Sequence, residues 1–278
     1  MIGLTMTCGR VFGLLLPVLA ILIVATTNIC AEERRGSIAS DCGSGAATAV
    51  TVAAIADALT LVLTDGREVR LAGIEAPVSP NEPLSTVAAA ALSALIGGQN
   101  VALKYLEPRT DRYGRILAHV FIVRGGVEQS VQQSLIAAGH ARVAVRVWGK
   151  SCAIGFFATE HAARAAKMGL WGDPFYDIKN AENPAGILAE RGRFTLVEGK
   201  VASVRESGGV IYINFGRRWS EDFTVTILKR DERKFLSAGV VPRTLSGRRI
   251  RVRGYIEERG GPWIEAIAPE QIEIAEGE

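Results

Sequence analysis

Residues Asp57–Ala76 read DALTLVLTDGREVRLAGIEA, two apolar runs broken at Asp65-Gly66. That dipeptide suits the left-handed backbone of a two-residue hairpin, so LTLVLTDG and REVRLAGIEA read as strands joined by tight turns. TAVTVAAIAD, residues 48–57, reads as the strand before them. LSTVAAAALSALIGG, residues 84–98, has helical composition and ends on glycines, as a helix C-terminus prefers. QNVALKYLE and RILAHVFIV return to strand, while VEQSVQQSLIAAG and FATEHAARAAKMG read as helices. Three strands, a helix and two strands are the order of a small closed barrel of the oligonucleotide-binding (OB) type.

The order repeats downstream. RFTLVEGKVASVRES, GVIYINFG and DFTVTILK read as strands, RDERKFLSAG as a helix, and RRIRVRGYIEERG and PWIEAIAPEQIEI as the closing strands. The expectation is a mainly β chain with helices (α+β). A first barrel with appended helices spans 48–178, a linker spans 179–192, and a second small OB-like barrel spans 193–275.

A formal charge of +3 over 278 residues excludes a polycation, so an anionic partner must be met by local patches. Residues 100–170 carry ten Lys/Arg against four Asp/Glu, and residues 193–275 fifteen against eleven. YINFGRRWSEDF, residues 212–223, interleaves arginines with aromatic rings, and RRIRVRG, residues 248–254, is a basic run. Arginines that neutralise a backbone beside rings that stack bases hold single strands without sequence preference. Arg217, Arg218 and Trp219 are therefore candidate substrate-binding residues, with Tyr212 and Phe215 open to either a stacking or a core role.

The first 31 residues read as a signal peptide. Arg10 precedes VFGLLLPVLAILIVATT, and Ile29 and Ala31 stand where a signal peptidase reads before its cut. The alternative is an uncleaved membrane anchor. Either implies export to a periplasmic or extracellular location, with 32–47 a flexible leader. Cleavage leaves Cys42 and Cys152, which form one disulfide or remain two free thiols; the sequence leaves both open. Four scattered cysteines and three histidines give no zinc spacing.

Four stretches in register give the first barrel a resemblance over Asp57–Trp171. DALTLVL resembles a D-G-D-T strand, RLAGIEAPV resembles R-L-x-x-I-D-A-P-E, DRYGRILA resembles D-[KR]-Y-G-R-x-L-A, and EHAARAAKMGLW resembles a closing helix E-x-x-A-[KR] running to G-L-W. Together they are similar to the staphylococcal nuclease-like (thermonuclease) family. The resemblance implies calcium-assisted hydrolysis of a phosphodiester. Arg70 and Arg115 fall on the catalytic arginines, whose planar guanidinium groups suit bidentate phosphate contact. Arg112 and Tyr113 fall on positions that contact an outer phosphate.

The metal positions depart from the pattern. Asp57, Glu75 and the backbone carbonyl at Ala76 remain as candidate ligands, but Leu59 stands where a second aspartate belongs. Any Ca²⁺ site should therefore be weak. The general base of A-P-E is replaced by Val78, with Glu82 in SPNEP the candidate substitute base. Val145 and Val147 replace aromatic residues expected against the base.

The leading expectation is an exported protein that binds nucleic acid, single strands favoured, with hydrolysis weak or lost. The alternatives are an active calcium-dependent nuclease with Asp57, Glu75 and Glu82 rearranged around the metal, and a protein-interaction module of two barrels. Restoring Leu59→Asp with Val78→Glu is expected to raise calcium-dependent cleavage.

Overall fold

The computed structural model describes Cys42 and residues 44–77, 83–144, 150–218 and 220–275. The signal segment, most of the leader, Val78, Glu82, Val145, Val147 and Trp219 lie outside the described residues. Among the described residues no helix is long and apolar enough to cross a membrane.

The first barrel runs β1 (Ser44–Asp57), β2 (Thr60–Leu63), β3 (Glu68–Leu71), β4 (Ile74–Glu75), α1 (Pro83–Ile96), β5 (Asn100–Thr110) and β6 (Ile116–Arg124). β7 (Val127–Ser130), α2 (Val131–Ala137), β8 (Arg142–Val143) and α3 (Lys150–Ala165) complete it. β1 pairs antiparallel with β2 and β5, and closure comes from the parallel pairing of β3 with β6.

The connecting segment carries β9 (Lys179–Asn180) and α4 (Pro184–Leu188). The second barrel follows with β10 (Phe194–Lys200), β11 (Ser203–Ser207), β12 (Val210–Asn214), β13 (Thr224–Leu228), α5 (Glu232–Ser237), β14 (Arg249–Tyr255), β15 (Glu257–Arg259), β16 (Gly261–Glu265) and β17 (Ile272–Ile274). β10 pairs antiparallel with β14, and β13 runs parallel to β16. These two pairings recur from the first barrel, but here the strands fall into two sheets, β17-β14-β10-β9 and β11-β12-β13-β16-β15. The second unit is thus OB-like without one continuous sheet, and the α+β expectation holds.

Three local readings change. VEQS does not open a helix: β7 pairs with β6 across the Gly125-Gly126 turn, and α2 begins only at Val131, with Ser130 as its N-cap. The segment read as a linker is built into the second unit, where β9 pairs with β10 and Ile187 is fully buried in its core. Phe215 is 7% exposed and packs on Phe223, so it is core rather than stacking platform.

Cys42 and Cys152 form the disulfide, tying the chain ahead of β1 to α3 across 110 residues of sequence. In the same buried cluster His119 has no solvent exposure. The G-L-W ending of α3 has a steric cause: a Cβ on Gly169 would lie 2.3 Å from the Gly139 carbonyl oxygen. Leu170 N–H donates to that same oxygen at 2.9 Å.

The two barrels meet over a buried ion pair. Arg253, on β14, donates to Glu160, on α3, at 2.8 and 3.1 Å, and both side chains are essentially sealed from water. Arg253 also donates to the Val143 carbonyl at 2.6 Å and pairs with Glu273, while Glu160 accepts the Val143 N–H at 2.7 Å. Arg253, first among the cations around it, together with His161 and Arg251, holds the Glu273 carboxyl down at about 2, against the burial that would raise it. Within the basic run 248–254, Arg253 is thus the interdomain clamp, while Arg249 and Arg251 are held inside the second barrel. Arg249 and Arg251 are both taken by Glu198, and Arg253 by Glu160 and Glu273.

Two measurements check this account. Glu160→Ala leaves Arg253 without its buried partner and should cost about 3–5 kcal/mol in urea unfolding; a loss under about 1 kcal/mol would contradict the clamp. Burial, with the Lys104 charge nearby, pushes the His119 imidazole from 6.5 down to about 4. Below pH 6.5 the unfolded chain takes up a proton that the folded protein refuses until about pH 4, so stability falls across that window. His119→Leu should flatten that part of the stability–pH curve, and an unchanged slope would exclude the assignment.

Candidate nucleic-acid phosphate site

The turn 111–115 is organised by Asp111. Its Oδ1 accepts the N–H groups of Tyr113 and Arg115 at 2.9 and 3.0 Å, and Gly114 takes a left-handed φ of +82° to close the bend. Its Oδ2 accepts Arg115 Nε at 2.8 Å and pairs with Nη2 at 2.7 Å, the fork geometry that fixes a guanidinium plane. Burial alone would raise the Asp111 carboxyl, but the Arg115 hydrogen bond and the two backbone donors hold it below the usual range. Arg115 is thus held ready by a charged partner.

Arg115 Nη1 reaches Thr60 Oγ1 at 3.4 Å, and Thr60 is the cross-strand partner of Arg70. The two arginines of the sequence reading therefore converge on one point of the barrel wall. Beside them Tyr113 is 68% exposed, with Arg112 and Arg115 against its ring at 4.9 and 5.2 Å. Arg112, Tyr113 and Arg115 thus cluster at the turn beside Arg70, a cationic hand in which Arg70 is paired with Glu75 and Arg115 with Asp111.

The candidate metal side is different. Leu59 has no solvent exposure and belongs to the apolar core with Ala58 and Ala76. Asp57 Oδ1 accepts the Leu59 N–H at 2.7 Å, so this carboxylate closes its own turn. Glu75 faces Arg142 across the β4–β8 pair, accepts Arg70 Nη2 at 3.2 Å, and lies beside Tyr255 of the second barrel. Burial outweighs these partners and raises the Glu75 carboxyl above its ordinary value; burial, then Glu75 itself, raises the Tyr255 phenol to about 12. Glu75 and Tyr255 line a cavity of about 160 Å³ between the barrels, with Arg142, Arg193 and Phe194.

A calcium ion needs six to eight oxygen ligands with net negative charge. Asp57, Glu75 and Ala76 do not supply that here, and among the described residues no three acidic, histidine or cysteine donors converge at this place. The residues present do not fit calcium.

Arg217 and Arg218 are not part of the hand; they sit on the second barrel between β12 and β13. Arg218 is exposed and paired with Glu221 at 2.9 Å. Tyr255 and Arg142, which enclose Glu75, were missed by sequence reasoning. Alternation along RVRGY, which puts Arg251, Arg253 and Tyr255 on one strand face, was the signal that could have found Tyr255.

Residues 68–173 match the family described as staphylococcal nuclease homologue. This segment is a domain of that nuclease family, which is related to nucleic acids and calcium-dependent in general. The match covers Arg70, Glu75, Arg112, Arg115 and α3, but begins after Asp57 and Leu59. No curated protein matches the chain.

Leu59→Asp alone should therefore not rebuild a calcium site. It places an unpaired carboxylate in apolar core, at a cost of about 3 kcal/mol or more. Thermal unfolding of this variant should show a lowered midpoint that calcium does not restore; a calcium-dependent rise would mean that the ligand geometry survives.

Proposed function

We propose that the protein is exported and binds nucleic acid through its phosphates, single strands favoured, with phosphodiester hydrolysis weak or lost. One observation carries the reading: Arg70 and Arg115 remain poised at Thr60 while the carboxylates of the metal side are committed elsewhere. A phosphate arriving at the hand exchanges the carboxylate partners of the two guanidinium groups for its own oxygens, which bind them bidentately. Without a fitted cation or a described base near it, the same contact holds the backbone without activating water against it.

Export is supported by the apolar run ahead of Ala31 and by the Cys42–Cys152 bond, which oxidising compartments favour.

The test is anisotropy titration of a fluorescent single-stranded oligonucleotide at several salt concentrations. Arg70→Ala with Arg115→Ala should weaken binding about tenfold or more. It should also reduce the slope of log affinity against log salt by about 0.7 per lost phosphate contact. With calcium, the unaltered protein should give no more product than this variant. Fast cleavage abolished by a chelator would overturn the loss of catalysis, and equal binding by the variant would overturn the hand.

A further inference from the structure

The second barrel presents an outward sheet face that the phosphate hand does not use. Ile211, Ile213, Val225 and Ile227 point into its core, so the alternate residues of β12 and β13 lie on the other face, where Tyr212 is part-exposed and Asn214, Thr224 and Thr226 are buried beneath it. Register aligns Arg205, Tyr212, Thr226 and Glu265 in one row, and Ser203, Asn214, Thr224, Trp263 and Glu257 in the next. The Tyr212 ring stands edge-to-face with Trp263 at 6.0 Å, which fixes its plane. Asn214 donates to Ser203 and accepts from Thr224, making a polar floor.

Over this floor lies a groove of about 690 Å³, lined by Ser203, Arg205, Tyr212, Asn214, Gly216 and Arg217. Its two cations differ from their neighbours. Arg259 is met by Glu257 and Glu265, Arg218 by Glu221, and Lys229 and Arg243 by Glu206. Among the described residues neither Arg205 nor Arg217 pairs with a carboxylate, and no acidic residue lines the groove. The β11–β12 turn at its rim is Gly208-Gly209, both at positive φ with open space where a Cβ would stand.

The geometry points to a second binding site here, for an unpaired base of single-stranded nucleic acid stacked on Tyr212. Flanking phosphates would meet Arg205 and Arg217, and Ser203, positioned by Asn214, would face the base edge. A ring held in plane between unneutralised arginines suits a base with its backbone, and an acidic peptide would leave the ring unused. A paired duplex keeps its bases stacked and cannot offer one to this face. The site is separate from the hand; the choice of nucleic acid as its ligand rests on the reading of the hand.

The experiment uses the full chain and an oligothymidylate carrying a single photoreactive 4-thiothymidine. Irradiation should crosslink the tryptic peptide Glu206–Arg217, which contains Tyr212. In anisotropy titrations Tyr212→Ala, and separately Arg205→Ala with Arg217→Ala, should each weaken binding about tenfold. Tyr212→Phe keeps the ring and should stay within about twofold. Unfolding midpoints equal to the unaltered protein's show that each variant is folded, and the phenylalanine variant keeps the test valid if the alanine one is not. Wild-type affinity in the groove variants, with binding lost in Arg70→Ala/Arg115→Ala, would overturn this site and leave the hand standing. The reverse pattern would overturn the hand and support the groove. Tighter capture of polyglutamate or of duplex than of oligothymidylate would overturn the choice of ligand.

Discussion

The structure turns on a guanidinium that water cannot reach. Arg253 lies between the barrels with Glu160 on one side and Glu273 on the other. Taking these charges out of water is costly, and their mutual attraction offsets the cost because the two Nη groups of Arg253 meet Glu160, Glu273 and a backbone carbonyl. Its Nε is left without a partner among the described residues. Glu160 accepts the Val143 N–H and Arg253 donates to the Val143 carbonyl, so the ion pair is stitched into β8 through both backbone groups of one residue. Removing either charge strands the other, which makes the two barrels one cooperative object.

The same strand decides the chemistry of the site. Residues two apart share a face of a strand, so the face of β14 that offers Arg253 to α3 also offers Tyr255 to Glu75. Glu75 is thereby part of the interface between the barrels, while Leu59 lies in the core and Asp57 closes its own turn.

Much of this was legible in the chain. The Asp65-Gly66 turn, the helix ending on Gly97 and Gly98, and the register of Arg70 with the DRYGR stretch located the first barrel and its hand, because short-range turn chemistry and strand alternation act locally. What was not legible depended on the encounter of distant surfaces. The run 248–254 reads as a phosphate-binding stripe until Glu160 and Glu198 are placed opposite it. VEQS has a pattern that suits a helix as well as a strand, and only its pairing with β6 decides. Glu75 keeps its charge type in the sequence, yet its commitment to Arg70, Arg142 and Tyr255 is a property of three separate segments meeting.

The buried pair also sets an order on the making of the protein. Ribosomes deliver Glu160 a full 93 residues before Arg253. During that interval α3 has a carboxylate meant for a water-free place and no cation to meet it. Whatever the first barrel can form by itself, the ground beneath α3 stays wet until the second barrel docks. Its final packing is therefore inherited from the last third of the chain, and a fragment ending before β14 would be a different molecule from the same residues in the whole.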